Sequence, residues 1–196
     1  MRFVEKIEKS VLALSLDDVL LVPQYSSISL DEVDVSTTIT KNLRLGIPII
    51  SSPMDTVTGR EMCITLARLG GLGVLPRNMK PAVILDIIRE VKEKGLKLGV
   101  AVGPFDDSLV KDYLEAGVDL IVIDSAHGNS KNVVEATKRY KDLGAVVMAG
   151  NVVTPEGAVA LINAGADSLR VGLGSGHACT TREVTGVGVP QLTAIA

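Results

Sequence analysis

PAVILDIIREVKEKGLKLGVAV, residues 81–102, decides how this chain folds. Its first part spaces apolar side chains at helical period and closes on Gly95, the residue type that most easily turns a chain out of a helix. LKLGVAV (96–102) then reads as a short strand rich in apolar residues. The same couplet repeats downstream. DDSLVKDYLEAG (106–117) precedes DLIVIDS (119–125), SKNVVEATKRYKDLG (130–144) precedes AVVMAGN (145–151), and TPEGAVALINAG (154–165) precedes ADSLRVG (166–172). Upstream, IPIISSPM (47–54) and GLGVLP (71–76) flank GREMCITLARLG (59–70). In the third helix Leu109, Val110, Tyr113 and Leu114 share one face. Ser130 and Thr154-Pro155 mark helix starts, and Gly70, Gly117 and Gly165 mark ends.

Alternating strands and helices with short connections mean βαβ units and a parallel sheet. Six strands and five helices fit either a doubly wound sheet or a (β/α)8 barrel. Evenness of the units favours the barrel. So does the clustering of polar residues after strands: Asp55, Asp124, Asn151 and a glycine-rich stretch, at the face where such barrels carry their sites. A complete barrel takes about 250 residues. At 196 residues the chain is expected to supply about six of the eight strands, as part of a longer barrel or its ordered portion. Residues 1–196 read as one catalytic domain, with 1–46 as an N-terminal capping segment. Within that segment LSLDDVLLVPQYS (14–26) is expected to be a short strand broken by Pro23, and VDVSTTITKNLRLG (33–46) a hairpin turning near Asn42.

Composition narrows the class. Hydrophobic residues make up 46% and aromatics only 3%, so the core is built from Val, Ile, Leu and Ala, as suits strands buried on both faces. With a net charge of −3 and no long basic run, nucleic acid is not an expected partner. Cys63 and Cys179 stand far apart with no CxxC, which argues against a disulfide framework or structural zinc. No apolar run reaches membrane-spanning length, and a cytoplasmic location is expected.

GLGSGHACTTREVTGVGVPQ (172–191) holds the densest chemistry. Gly172, Gly174 and Gly176 allow a backbone that cradles a phosphate through amides or a cation through carbonyls; such spacing also fits a plain flexible connection. Cys179 in that loop is a candidate nucleophile, with Thr180 and Thr181 supplying hydroxyls. Cys63 lies among apolar helix residues and reads as a small buried hydrophobe. Asp124 can accept from ribose hydroxyls or simply cap a turn, and His127 is a weaker candidate beside it. Asn151 follows Gly150, and either binds a ligand or makes an Asx turn. Ser51, Ser52, Met54 and Asp55 line the same mouth or form a turn. Arg170, the lone charge in LRVG, needs a carboxylate, phosphate or amide partner.

LSLDDVLLVPQYS, IPIISSPMDTVT, VIDSAHGNS, AGNVVT, LRVGLGSG and CTTREVTGVGVPQ, in that order, resemble the IMP dehydrogenase / GMP reductase family from about Ala13 to Ala196. The resemblance implies a (β/α)8 barrel, a homotetramer, that binds IMP and NAD and uses a potassium ion. It makes Cys179 the nucleophile that attacks the purine C2 and Thr181 the residue assisting hydrolysis. Ser52, Met54 and His177 match substrate contacts, and Asp124, Asn151, Arg170 and Gly172 the cofactor side. Backbone carbonyls of Gly174, Gly176 and Cys179 match the monovalent-cation site. VIDSAHG and CTTREVTGVGVPQ stand closer to the dehydrogenase than to the reductase. Three departures accompany the match. GLGVLPRNM runs straight into a helix, leaving no room for the regulatory CBS pair, an absence shared with reductases. His177 stands where serine is usual and Pro76 where histidine is usual. The last two strands are missing. The alternatives are GMP reduction with NADPH, and a non-catalytic nucleotide-binding barrel.

Overall fold

A computed structural model describes residues 10–176 and 179–196. They fall into two compact units. One comprises residues 27–170; the other joins residues up to 26 with residues from 171 onward.

The larger unit opens with a 3-10 turn, Leu30–Glu32, and an antiparallel hairpin of β1 (Thr37–Thr40) and β2 (Leu43–Leu45), turning at Lys41-Asn42. Strands and helices then alternate. They are α1 (Arg60–Arg68), β3 (Gly73–Leu75), α2 (Pro81–Glu93), β4 (Leu98–Val102), α3 (Asp107–Glu115), β5 (Leu120–Asp124), α4 (Lys131–Asp142), β6 (Val147–Val152), α5 (Pro155–Asn163) and β7 (Ser168–Val171). The sheet order is β3-β4-β5-β6-β7, which is chain order without reversal. A doubly wound sheet would reverse direction at a switch point. This one never does, and its helices share one face, so the sheet is an arc of a (β/α)8 barrel.

Period-2 alternation sorts the strand residues between two cores. Leu98, Val100, Val102, Ile121, Ile123, Val147 and Ala149 face the helices, where they meet Ile84, Ile87, Val110, Tyr113, Val133 and Leu161. Val74, Ala101, Leu120, Val122 and Met148 face the other way and pack with hairpin residues Leu43 and Leu45. A fully buried Leu or Ile contributes about 1.5–3 kcal/mol. The helix-facing layer therefore carries most of the cohesion.

The ends of the strands opposite the expected site are fastened twice by one device. Asp119 accepts from Lys92 Nζ at 2.8 Å and from the Leu98 amide at 3.0 Å. Asp167 accepts from Lys141 Nζ at 2.6 Å and from the Val147 amide at 2.7 Å. Each aspartate follows a helix-ending glycine, Gly117 or Gly165, over which the same lysine's stem packs. Staples at that end of a barrel serve stability rather than chemistry.

Two sequence expectations change here. The first strand, within 47–54, reduces to one parallel bridge, Ile50 to Leu72, because the chain turns away at Ser52. The 14–26 stretch contains no strand. Ser15 donates its amide to Asp18 Oδ2 at 2.6 Å, and that local bond winds Leu16–Asp18 into a 3-10 turn.

Past β4 the chain is pinned by a buried phenol. Tyr140 Oη donates to the Gly103 carbonyl at 2.6 Å and accepts from the Asp106 amide at 3.0 Å. Burial pushes its ionisation up to about 12, so it remains a neutral donor. Tyr140→Phe strands both backbone groups. The expected loss is about 1–3 kcal/mol in urea unfolding; an unchanged midpoint contradicts this anchoring.

Candidate functional site

In the larger unit the site residues follow strand C-terminal ends. Asp124 closes β5 and lies opposite Gly150 in the parallel register. Both point to the face away from the helices, as does Arg170 on β7. Arg170 Nη1 donates to Asp124 Oδ1 at 2.6 Å, with the side chains 30% and 32% exposed. The pair spans β6, and Gly150 makes the crossing possible. A Cβ at Gly150 would stand 2.5 Å from the Arg170 carbonyl oxygen and 2.7 Å from its Cβ. Arg170 thus has the carboxylate partner its solitary charge requires. Asp124 keeps Oδ2 with no partner among the described residues.

Asn151 is tied through its backbone. Its amide donates to the Ser125 carbonyl at 2.8 Å, and its carbonyl accepts from Gly128 at 2.8 Å. The Gly150-Asn151 peptide is cis. A Cβ at Gly128 would lie 2.7 Å from the Asn151 oxygen, so VIDSAHGNS and AGNVVT form one packed unit. His127 is exposed, its amide 3.3 Å from Ser125 Oγ in a local turn.

Ser52 and Met54 lie in the loop after the Ile50 bridge. Both are exposed, and the Met54 amide donates to the Ser52 carbonyl at 2.8 Å. Thr58, fully buried, holds this loop: its hydroxyl donates to the Ser52 carbonyl at 2.5 Å and lies 2.8 Å from Ser51 Oγ. Sequence reasoning quoted Thr58 within SSPMDTVT without giving it a role; a second hydroxyl close behind a serine pair was the available signal. Asp55 accepts from Asn78 at 3.2 Å. Pro76 is buried just after β3.

The smaller unit carries the thiol. The 172–176 loop leads to α6 (Thr180–Thr185), with Cys179 at the N-cap, partly exposed. Thr181 accepts at its carbonyl from Thr185 Oγ1 at 2.8 Å, and both residues are exposed. Gly172 is buried with φ 126°, against the Gln191 side chain that begins α7 (Gln191–Ile195). Gln191 Nε2 donates to the Val171 carbonyl at 3.1 Å. Leu173 bridges Val189, Gly174 has φ 63°, and Arg182 Nη1 donates to the Gly174 carbonyl at 3.2 Å. The Gly176 carbonyl accepts from the Cys179 amide at 3.1 Å, and the Cys179 carbonyl from Glu183 at 3.4 Å. His177 lies outside the described residues. The N-terminal segment belongs to this unit: Leu14 and Thr193 exchange bonds of 2.8 and 3.2 Å.

Cys63 gives the contrast. It is fully buried, and burial alone pushes its thiol up to about 12. A Cβ on Gly73 would lie 2.6 Å from Cys63 Sγ, so α1 sits directly on β3. Among the described residues no three His, Cys, Asp or Glu side chains gather to hold a metal, and no helix is long and apolar enough to cross a membrane.

Comparison with known proteins identifies the family. The family model for the IMP dehydrogenase / GMP reductase domain matches residues 13–196. An inosine-5'-monophosphate dehydrogenase of Cryptosporidium parvum is 39% identical over 226 aligned positions, covering 93% of this chain and 56% of the relative. That of Borreliella burgdorferi is 37% identical, covering 93% and 59%. That of Aquifex aeolicus is 32% identical over 323 positions, covering 97% and 66%. The chain thus spans less than two thirds of these relatives' length. Alignments of 226 and 323 positions exceed its 196 residues, so the relatives also carry residues inside the matched span that this chain lacks. With the family's domain matched across nearly every residue, the chain belongs to the IMP dehydrogenase / GMP reductase family.

Proposed function

We propose that the chain serves an IMP dehydrogenase: oxidation of IMP to XMP, with NAD as hydride acceptor, in guanine nucleotide biosynthesis. The observation that carries this reading is the contrast between the two thiols. One is sealed in the core, and the other stands partly exposed beside a glycine loop. A soft thiolate suits addition to the electron-poor C2 of a purine. Cys179 Sγ bonds to C2, and the hydride leaves C2 for the nicotinamide. Water then displaces the sulfur from the resulting thioimidate, releasing XMP and a proton. Thr181 assists that hydrolysis. Ser52, Met54 and His177 contact the nucleotide.

Asp124, Asn151, Arg170 and Gly172 serve the cofactor side. A carboxylate with one oxygen held by Arg170 and the other without a partner among the described residues fits a ribose diol, which needs an oriented acceptor. Carbonyls of Gly174, Gly176 and Cys179 are offered to a monovalent cation, potassium. Each holds one donor among the described residues, and a carbonyl oxygen has a second lone pair. The domain works as a barrel in a cytoplasmic homotetramer.

The test is direct. The protein is incubated with IMP, NAD and KCl, and NADH absorbance and XMP are followed. Formation of both supports the reading. NADPH consumption with GMP and ammonia release assigns the reductase instead. IMP binding without turnover in either assay assigns a non-catalytic subunit.

A further inference from the structure

We propose that Thr58 is a positioning residue for the nucleotide: a one-way relay of hydroxyls, running from the β3 backbone through Ser51 and Thr58, fixes the loop that presents Ser52 and Met54. The inference rests on the proposed contacts of Ser52 and Met54 with IMP.

The relay starts where the first strand stops. Beside the start of β3 the backbone ladder is regular. The Leu72 amide donates to the Ile49 carbonyl at 3.1 Å, and the Ser51 amide to the Leu72 carbonyl at 3.0 Å. In a parallel ladder the next rung would join the Val74 amide to the Ser51 carbonyl. The Val74 amide donates instead to Ser51 Oγ at 3.3 Å. A side chain completes the ladder in place of a carbonyl, and the backbone is free to leave the sheet at Ser52.

The direction of the later bonds follows from counting protons. A hydroxyl has one proton and two lone pairs. The Ser52 carbonyl, 2.5 Å from Thr58 Oγ1, can only accept, so the Thr58 proton lies there. The 2.8 Å contact between Thr58 Oγ1 and Ser51 Oγ is then a bond that Ser51 donates. Val74 N–H, Ser51 O–H, Thr58 O–H and Ser52 C=O form a chain in which each bond polarises the next. The Ser52 carbonyl also accepts from the Met54 amide at 2.8 Å, which fills both its lone pairs. Thr58 closes the loop a second time, its own amide donating to the Met54 carbonyl at 2.8 Å.

Burial singles out Thr58. From Ser52 to Val57 no residue is buried, while Thr58 is fully so. The order of this loop therefore rests on the bonds around Thr58 rather than on apolar packing within it. A group that holds Ser52 and Met54 equally before and during the reaction contributes to binding, not to the chemical step. Its loss raises KM and spares kcat.

Thr58→Val keeps the shape and removes the hydroxyl; Thr58→Ser keeps the hydroxyl. Both are compared with Ser51→Ala and the unsubstituted protein. Hydrogen exchange of peptides spanning residues 52–58 reads the loop, calorimetry reads IMP affinity, and NADH formation reads kcat and KM. In Thr58→Val exchange is expected to quicken about tenfold, and the IMP dissociation constant and KM to rise about tenfold, the scale of one lost hydrogen bond. Its kcat should hold within about twofold, and Thr58→Ser should stay within about twofold of the unsubstituted protein throughout. Ser51→Ala should quicken exchange about threefold, because Thr58 keeps its bond to Ser52. Unchanged exchange in Thr58→Val overturns the proposal. So does a serine variant that behaves as the valine one, since the methyl rather than the hydroxyl would then matter. A fall in kcat with KM unchanged overturns it too. Should Thr58→Val fail to fold, Ser51→Ala decides: faster exchange with weaker IMP binding upholds the relay, and unchanged exchange rejects it. Exchange needs no nucleotide. The expected exchange pattern in a protein that binds no IMP removes the nucleotide reading and leaves the relay. IMP binding without that pattern removes the relay and leaves the reading.

Discussion

Gly150→Ala is expected to cost about 3 kcal/mol or more of folding stability in urea denaturation, the upper range for forcing a side chain into a packed interior. The added methyl has nowhere to go. It would stand 2.5 Å from the Arg170 carbonyl oxygen and 2.7 Å from the Arg170 Cβ, so β7 must move away from β6. The move also draws the Arg170 guanidinium off Asp124, leaving two charges each about one-third exposed and without their partner. Arg170→Ala does not relieve the damage, because the atoms in the way are a backbone oxygen and a Cβ that alanine keeps. Gly59→Ala is the control. Its Cβ meets nothing within 4 Å and its φ of −121° is open to any residue. It should lose about 1 kcal/mol or less. Equal losses at the two positions would mean that β6 and β7 are not in close contact at Gly150.

The same glycine shows where sequence reading stopped. Helices and strands were legible because their periods, 3.6 and 2, are written into the positions of Ile, Val and Leu, and because glycines close the helices. The need of Arg170 for a partner was legible from its apolar surroundings. Its partner was not, since Asp124 lies 46 residues away and is reached only by crossing a residue with no side chain. Local polar bonds also compete with apolar patterning. Ser15 and Asp18 carry the Ser-x-x-Asp signal of a helical turn, and that turn prevails over the strand expected across 14–26. Thr58 and Arg182 were in view within quoted motifs. What each does depends on a carbonyl it reaches, and carbonyl positions follow from the fold alone.

Cys179→Ala is expected to reduce NADH formation from IMP and NAD below about a thousandth of the unsubstituted rate, as removal of a covalent nucleophile does. Folding stability should change by about 0.5 kcal/mol or less, because the side chain is partly exposed and makes no hydrogen bond among the described residues. Cys63→Ala is expected to do the reverse. That thiol is fully buried against Gly73, so its loss costs about 1 kcal/mol of stability while turnover persists. Alkylation completes the comparison: native protein should take up one equivalent quickly, and Cys179→Ala none. IMP affinity in Cys179→Ala, read by calorimetry, should remain, because the contacts assigned to Ser52 and Met54 do not depend on the Cys179 thiol. Turnover that survives at Cys179→Ala, with the protein folded and IMP bound, would exclude a thioimidate on this residue. Turnover lost equally in both variants would point to a shared folding defect. Opposite phenotypes from two cysteines in one chain follow from burial alone, which makes the pair a sharper test than either substitution by itself.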